Sequence, residues 1–386
     1  MTLTPDSSRL HIVFAGERNS GKSSLLNALA RQQVSIVSDI PGTTTDCVSK
    51  AMELPGLGPC TLIDTAGLDD SSELGGQRIG KAEDALKTAD IVIGVIDAAT
   101  GIIPDIPHAR VPVIPVLNKC DRCSAQSVDE LSEAIKAKTG KEPVRTSANR
   151  AEGVKELIAA VQESLPEDWD APLLTADLVK EGALVVLVMP QDTQAPKGRL
   201  ILPQQQVLRE LLDRGCRAVC CTAARLKETL ETLKKAPDVV ITDASYLAEV
   251  HASLPAGVSL TSFSMLLAAA KGDMAYFKKS AERIGSLKPS SKVLIAEACT
   301  HVPAGEDIGR VKIPRLLRSA AGEDLQIDVV SGRDFPADLR AYDLVIHCGA
   351  CMFNRRYVLA RVEQAKSQGV PMTNYGTAIA YIDKLL

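Results

Sequence analysis

Residues 16 to 23 read Gly16-Glu17-Arg18-Asn19-Ser20-Gly21-Lys22-Ser23, which is the pattern G-x-x-x-x-G-K-S. An apolar run at residues 9–15 precedes this segment, and a helical pattern at residues 24–30 follows it. A glycine-rich loop between a strand and a helix can wrap its backbone N–H groups around phosphates. In such a loop Lys22 reaches the outer phosphates and the Ser23 hydroxyl binds Mg²⁺. The segment therefore predicts a P-loop nucleotide-binding domain of the α/β class at the start of the chain.

Four later segments follow in the order that a GTPase domain requires. They are Pro41-Gly42-Thr43-Thr44-Thr45-Asp46, Asp64-Thr65-Ala66-Gly67, Asn118-Lys119-Cys120-Asp121 and Ser147-Ala148-Asn149. The first is a polar loop that can close over the γ-phosphate. In the second, we expect Asp64 to hold Mg²⁺ through water and the Gly67 N–H to contact the γ-phosphate.

The third of these segments predicts guanine as the base. The Asp121 carboxylate can accept hydrogen bonds from both N1–H and the exocyclic amine of guanine. Adenine has no hydrogen on N1, so it leaves part of the carboxylate unpaired, and sites of this kind discriminate by roughly 10⁴ or more. The segment Ser147-Ala148-Asn149 is expected to support the base through its backbone. Together the five segments predict GTP as the bound nucleotide.

Length and local patterns predict three domains. The chain has 386 residues, which suits two or three domains, and an acidic segment containing proline at residues 165–172 is typical of a linker. Beyond it, β-branched runs alternate with helical patterns, which indicates parallel α/β layers; residues 261–271 are among the segments predicted to be helical. We expect a P-loop GTPase domain at residues 1–168, followed by two smaller parallel-sheet α/β domains at residues 169–275 and 276–386.

Composition argues against nucleic-acid and membrane partners. The formal net charge is −4 and aromatic residues make up 3% of the chain, whereas nucleic-acid binding uses basic surface and stacking rings. The longest apolar runs are too short to cross a bilayer, and the polar first residues show no signal peptide. We therefore expect a cytoplasmic protein whose cysteines, 10 in all, are reduced thiols or metal ligands rather than disulfides.

A second group of candidate residues lies near the C-terminus. It consists of Cys299-Thr300-His301 and His347-Cys348-Gly349-Ala350-Cys351. Each half follows an apolar, β-branched run that reads as a buried strand of a parallel sheet, at residues 293–296 and 344–346. Because ligand sites of open α/β sheets lie beyond the carboxyl ends of the strands, we expect the two halves to meet.

Three cysteines and two histidines at one point indicate an iron–sulfur cluster or another metal site. A helical pattern after Cys351 would place this thiol near a helix N-terminus, which favours a thiolate. Zinc, bound by Cys and His, is an alternative. A second alternative is that no metal binds, since cysteines are often small buried hydrophobes and a C-x-x-C pair alone is a weak signal.

The first domain resembles the tRNA-modification GTPase branch of the translation-factor-like GTPases. The resemblance lies in Asn19, in Gly42-Thr43-Thr44, and in the apolar Leu68 at the position where Ras-like enzymes have a water-orienting Gln. It implies that K⁺, held by Asn19 and backbone carbonyls, supplies positive charge in the transition state and that Thr44 binds Mg²⁺. Where that branch has a catalytic Glu, this chain has Gln77, so we expect slow hydrolysis.

The residues of the predicted nucleotide site fall into two groups, one assigned to catalysis and one to binding. The residues assigned to catalysis are Lys22, Asn19, Thr44 and Gly67. The residues assigned to binding GTP and its Mg²⁺ are Gly16, Asn19, Ser20, Gly21, Lys22, Ser23, Ser24, Thr44, Asp64, Gly67, Asn118, Lys119, Asp121, Ser147, Ala148 and Asn149.

The chain as a whole resembles the family of FeFe-hydrogenase maturation GTPases. The resemblance rests on the Cys/His pattern above and on the segments Ala195-Pro196-Lys197-Gly198-Arg199-Leu200-Ile201-Leu202-Pro203-Gln204, Thr261-Ser262-Phe263-Ser264, Lys271-Gly272-Asp273 and Thr373-Asn374-Tyr375-Gly376. It implies a scaffold that accepts a transient di-iron precursor made by two radical-SAM maturases and delivers it to the apo-hydrogenase. It also implies a homodimer, formed through the middle domain, or a higher homo-oligomer.

The same resemblance implies a 4Fe–4S cluster on Cys299, Cys348 and Cys351. His301 or His347 is then either the fourth iron ligand or a hydrogen-bond partner of a cluster sulfur. Two other functions stay open on the sequence: a zinc-handling GTPase metallochaperone and a tRNA-modifying GTPase.

Overall fold

The computed structural model describes residues 4–31, 38–39, 48–65, 75–106, 111–165, 173–176, 178–189, 200–298 and 307–386. The chain divides into two compact units, Met1–Asp170 and Ala171–Leu386. The second unit holds both of the smaller predicted domains, so the boundary between residues 275 and 276 stays a prediction. Among the described helices, none combines the length and apolar character that crossing a bilayer requires.

The described part of the first unit is built on one sheet. Its strands are β1 Leu10–Gly16, β2 Ser38–Asp39, β3 Val48–Leu54, β4 Gly58–Asp64, β5 Ile91–Asp97, β6 Val113–Asn118 and β7 Val144–Arg145. Its helices are α1 Lys22–Arg31, α2 Gly75–Thr88, α3 Ala125–Thr139 and α4 Val154–Ser164. The strand order is β2-β3-β4-β1-β5-β6-β7. Strand β3 pairs antiparallel with β2 and with β4, and the other neighbouring strands of this sheet pair parallel.

The central strand β1 is buried along its whole length, which explains its unbroken apolar run. Its register with β4 and β5 brings the carboxyl ends of three parallel strands to one edge, where the P-loop begins. The antiparallel strand β3 was not among the predicted elements. Its residues form a hairpin with β4 through Leu54 and Gly58.

The described part of the second unit contains two parallel sheets. The strands are β8 Leu184–Val188, β9 Arg217–Cys221, β10 Val239–Thr242, β11 Ser259–Ser262, β12 Lys292–Glu297, β13 Gln326–Ser331, β14 Leu344–His347 and β15 Met372–Asn374. The helices are α5 Leu202–Asp213, α6 Leu226–Thr232, α7 Leu247–Ser253, α8 Phe263–Lys271, α9 Met274–Ala281, α10 Ile313–Ala321, α11 Arg355–Ser367 and α12 Tyr375–Ile382. The strand orders are β11-β10-β8-β9 and β13-β12-β14-β15, so the predicted α/β class with parallel sheets is confirmed.

The helix predicted for residues 261–271 begins later than expected. Thr261 and Ser262 belong to β11, where Thr261 lies opposite Ile241 of β10. The Ser262 hydroxyl accepts a hydrogen bond from the Met265 N–H at 3.3 Å, so this residue ends the strand and caps α8.

Helix α8 packs against both sheets of the second unit. Its residues Phe263 and Leu266 are buried in a core cluster with side chains of β8 and β10. One turn further, Ala268 is buried in a cluster with Leu294 of β12 and Val345 of β14. Side chains of α8 therefore belong to the hydrophobic cores of both sheets.

Candidate functional site

The P-loop is held in shape by its own lysine. Lys22 is the first residue of α1, and its Nζ donates to the carbonyl oxygens of Gly16 at 3.0 Å and Glu17 at 2.7 Å. The side chain is buried. A buried ammonium favours an anionic group nearby, such as a phosphate. The role of Lys22 at the outer phosphates stays a prediction.

Ser23 and Asp64, two of the three residues predicted to bind Mg²⁺, lie next to each other. The Ser23 hydroxyl donates to Oδ2 of Asp64. Oδ1 of Asp64 is buried and has no hydrogen-bond partner in the part of the chain that the structure describes. Burial raises the pKa of this carboxyl, while the Ser23 hydrogen bond and the Lys22 charge oppose that rise. A hydroxyl beside a carboxylate with a free oxygen is a donor set that fits Mg²⁺.

Asn118 connects the P-loop to the loops that are predicted to bind guanine. Its Nδ2 donates to the Ser20 carbonyl at 3.1 Å. Its Oδ1 accepts from the Thr146 hydroxyl and the Ala148 N–H, both at 3.2 Å. A Cβ at Gly21 would lie 2.3 Å from the same Nδ2, and Gly21 has φ +96°, so only glycine fits there.

Asp121 is oriented by the loop that follows β7. Oδ1 of Asp121 accepts a hydrogen bond from the Ser147 hydroxyl at 2.7 Å. This hydrogen bond lowers the pKa of Asp121, which keeps the carboxylate ionised at neutral pH. An ionised acceptor is what the two guanine N–H groups require.

Lys119 is fixed between two partners. Its Nζ donates to the Asn19 carbonyl at 2.5 Å and to Oδ2 of Asp97 at 2.6 Å. Both Lys119 and Asn19 have positive φ, at 64° and 62°. The contact therefore stabilises left-handed backbone in two separate loops.

These loops enclose an open cavity of about 380 Å³. It is lined by Asn19, Gly21, Lys22, Ser23, Ser24, Asn118, Lys119, Asp121, Arg122, Ala148 and Asn149. Of the other predicted nucleotide-site residues, Gly16, Ser20, Asp64 and Ser147 contact this set as described above. Thr44, Gly67 and also Leu68 lie outside the described residues, and of the Gln77 side chain the structure describes nothing.

Sequence reasoning missed Asp97, Thr146 and Arg122. Asp97 is the last residue of β5, and Asp64 occupies the same place in β4. A polar residue at the carboxyl end of a buried parallel strand was thus a usable signal. Thr146 carries no comparable signal, because its role depends on the distant Asn118.

The second candidate site is the turn after β14, which contains Cys348 and Cys351. The Cys348 sulfur accepts the Ala298 N–H at 3.0 Å and the Ala350 N–H at 3.4 Å. Ala298 follows β12, so the two strand ends meet as expected. Cys299 and His301 lie outside the described residues. Within the described ranges alone, no three Cys, His, Asp or Glu side chains form a metal-binding group.

A buried lysine lies against the cysteine turn. Lys271, the last residue of α8, donates to the carbonyl oxygens of Ala350 at 3.0 Å and Phe353 at 2.8 Å. Burial lowers the pKa of Lys271 to about 8, and negative charge on Cys351 and Cys348 acts in the opposite direction. Burial raises the pKa of the Cys351 thiol, and Lys271 opposes that rise. Two thiols with N–H donors and a cation beside them fit a thiolate-bound metal group.

Both ring nitrogens of His347 already have partners. Nδ1 lies 2.8 Å from the Cys348 carbonyl oxygen, and Nε2 lies 2.8 Å from Nη1 of Arg361. His347 is buried, and burial together with the Arg361 charge lowers its pKa to about 3. The ring is therefore neutral and orients the backbone of Cys348.

A P-loop GTPase domain is defined by three features: the sheet, the phosphate loop and the loops that are predicted to bind guanine. Residues 11–119 match the family model described as 50S ribosome-binding GTPase. Beyond this domain, residues 174–272 match the hydrogen maturase F dimerization domain and residues 275–386 match the hydrogen maturase F tetramerization domain. The chain belongs to the hydrogen maturase F (HydF) family.

Two curated relatives match less than half of this chain. The tRNA modification GTPase MnmE of Nitrosomonas europaea is 39% identical over 170 residues, which is 42% of this chain and 36% of that protein. MnmE of Paraburkholderia xenovorans is 36% identical over 187 residues, or 46% of this chain and 39% of that protein. The chain thus spans less than half the length of these curated relatives. The crystal structure of Aquifex aeolicus Era is 22% identical, covers 58% of this chain and 98% of its own, and has a TM-score of 0.35.

Proposed function

We propose that this protein is a GTPase of FeFe-hydrogenase maturation that also carries a 4Fe–4S cluster. The observation that carries the proposal is the cysteine turn of a HydF family member. Its Cys348 sulfur accepts two backbone N–H bonds, and the buried Lys271 ammonium binds the same turn. An open cavity that predicted nucleotide-site residues line is present in the other unit of the same chain. The protein thus combines a nucleotide site with a metal site.

In the GTPase reaction the chain mainly positions and neutralises the phosphates. Water attacks the γ-phosphorus and the bond to the β-phosphate oxygen breaks, which gives GDP and inorganic phosphate. Lys22 offsets the charge on the outer phosphates, and Ser23 with Asp64 would hold Mg²⁺. Thr44 and Gly67 are the proposed γ-phosphate contacts, and K⁺ at Asn19 is the proposed extra cation. We expect slow hydrolysis because Leu68 and Gln77 cannot act as a base.

At the second site Cys348, Cys351 and Cys299 would hold the cluster. When bound, the cluster supplies an iron atom to which a second group can attach and from which it can leave. The proposed cargo is a di-iron precursor, received from radical-SAM maturases and delivered to the apo-hydrogenase. The matches to dimerization and tetramerization domains support a homo-oligomer as the working form.

The test is metal analysis of protein purified without oxygen, combined with GTPase assays. We expect about 4 iron and 4 sulfide per chain, as a Cys-bound cubane contains, and we expect GTP hydrolysis. Lys22→Ala should abolish hydrolysis and keep the iron, because the two sites lie in different units. Stoichiometric zinc without sulfide would support the metallochaperone alternative, and tight tRNA binding would support the tRNA-modifying one.

A further inference from the structure

Lys271 is one of two lysines, with Lys22, that are buried among the described residues. Its side chain is buried, at the point where α8 ends against the cysteine turn. The contact is reciprocal, since Nε of Arg355 donates back to the Ala270 carbonyl at 3.2 Å. Three hydrogen bonds therefore join the end of α8 to the cysteine turn and to the first residue of α11.

The partners of the Lys271 ammonium at hydrogen-bond distance are the carbonyls of Ala350 and Phe353. Neutral carbonyls offset only part of the cost of burying a cation, so such a site favours an anion nearby. Among the described residues, the acidic groups whose charge acts on Lys271 are the thiols of Cys351 and Cys348. A group bound through these thiolates would supply the missing negative charge.

The same contact fixes the geometry of the turn. Ala350, between the two cysteines, has φ +51°, and left-handed backbone at a residue other than glycine is strained. The hydrogen bond from Lys271 to the Ala350 carbonyl holds this conformation. The turn can then present Cys348 and Cys351 without further rearrangement.

We propose that Lys271 is a positioning residue of the cysteine site, which fixes the Cys348–Cys351 turn and places a positive charge beside the thiolate-bound group. The inference rests on the proposed cluster. A nearby cation stabilises the reduced, more negative state, so Lys271 raises the reduction potential of the cluster. Because it also fixes the turn, it slows the loss of iron.

Three variants of the cluster-loaded full chain separate the two effects. Lys271→Met removes the charge and the hydrogen bonds, whereas Lys271→Gln removes the charge but keeps an N–H donor. Lys279→Met, at an exposed lysine of α9, is the control. The measurements are the midpoint potential from an EPR-monitored redox titration, and the rate of iron loss to an iron chelator.

We expect Lys271→Gln to shift the potential to a more negative value while it loses iron no more than a few times faster than the wild type. Lys271→Met should show the same shift and lose iron at least tenfold faster, and Lys279→Met should match the wild type. An unchanged potential in both Lys271 variants, or an unchanged rate of iron loss in Lys271→Met, would overturn the inference alone. A wild-type protein without iron and sulfide would overturn the proposed function together with it.

Discussion

The Nε2 atom of His347 lies 2.8 Å from Nη1 of Arg361, while Nδ1 of the same ring lies 2.8 Å from the Cys348 carbonyl oxygen. A guanidinium can only donate and a carbonyl can only accept, so the ring proton is on Nδ1. The Nε2 lone pair then faces Arg361, which is itself buried among the rings of Phe335, Phe353 and Tyr357. In this arrangement His347 has no lone pair for iron.

The first prediction follows from this arrangement. A His347→Gln variant should retain most of its iron, and pulsed EPR of the reduced cluster should show the same nitrogen couplings as the wild type. Loss of a strong nitrogen coupling in that variant would identify His347 as an iron ligand.

A related prediction concerns Arg361, the partner of His347. Arg361→Met should destabilise the fold by about 1–3 kcal/mol, because it leaves a buried Nε2 without its donor. Chemical denaturation of the cluster-free protein measures this change in stability.

The second prediction concerns base selectivity. In Asp121→Asn the amide can no longer accept both N–H groups of guanine, so GTP affinity should fall by roughly a hundredfold or more. Xanthine has a carbonyl in place of the exocyclic amine, and the Asn amide can donate to it. The variant should therefore bind xanthosine triphosphate better than the wild type does.

The control for this substitution is Asp129→Asn. Asp129 is an exposed carboxylate of α3 that pairs with Arg145 and is not among the residues that line the nucleotide cavity. Titration calorimetry should show wild-type GTP affinity for it. If Asp121→Asn also keeps wild-type affinity for GTP, the assignment of Asp121 to the base is wrong.

The segments of the predicted nucleotide site can be found in the sequence because each of them is local. The residues from Gly16 to Ser23 form a loop whose chemistry is set within one segment, and Asp121 and Ser147 follow strand ends that meet at one edge of the sheet. The helix start at Thr261 was wrong for the opposite reason. Four residues of β11 are strand because they pair with β10, about 20 residues away, and local periodicity does not show that pairing.

At the cysteine site, too, the sequence shows the local features but not the long-range contacts. Cys348 and Cys351 stood out through their spacing. The residues that hold their turn did not, because Lys271 and the carbonyl of Ala350 are separated by 79 positions. Their contact depends on how α8 crosses between two sheets. A lysine at the end of an apolar helix reads as an exposed C-terminal charge, and only tertiary packing makes it a buried one.

The third prediction tests the proposed role of K⁺. Asn19 lines the nucleotide cavity, and its carbonyl is fixed by Lys119. We expect hydrolysis to be several times faster in potassium chloride than in sodium chloride at matched ionic strength. Asn19→Gly keeps the left-handed backbone and removes the side chain, so the difference between the salts should disappear. Equal rates for the wild type in the two salts would refute a K⁺ site at Asn19.

The fourth prediction concerns an ion pair at the edge of the first unit. His11 is buried in β1, and its Nε2 lies 3.5 Å from Oδ2 of Asp6. The other carboxylate oxygen of Asp6, Oδ1, accepts a hydrogen bond from the Thr61 hydroxyl at 2.6 Å. Burial lowers the pKa of His11, but Asp6 outweighs burial, and with Asp90 it raises that pKa above 6.5 overall. For Asp6, burial raises the pKa, and His11, Thr61 and Arg9 together outweigh burial and lower the pKa to about 2.

The signs of these shifts define a pH window. The His11 contribution to stability is fully present below pH 6.5 and is lost as the pH rises through the higher folded pKa. The Asp6 contribution is present above pH 3.8 and is lost as the pH falls towards 2. The Asp6 side chain is 53% exposed, so the pair contributes no more than about 1 kcal/mol to stability.

The melting temperature of the wild type should therefore fall slightly more than that of Asp6→Asn as the pH rises above 6.5. Parallel curves for the two proteins over that range would show that His11 is neutral in the folded state.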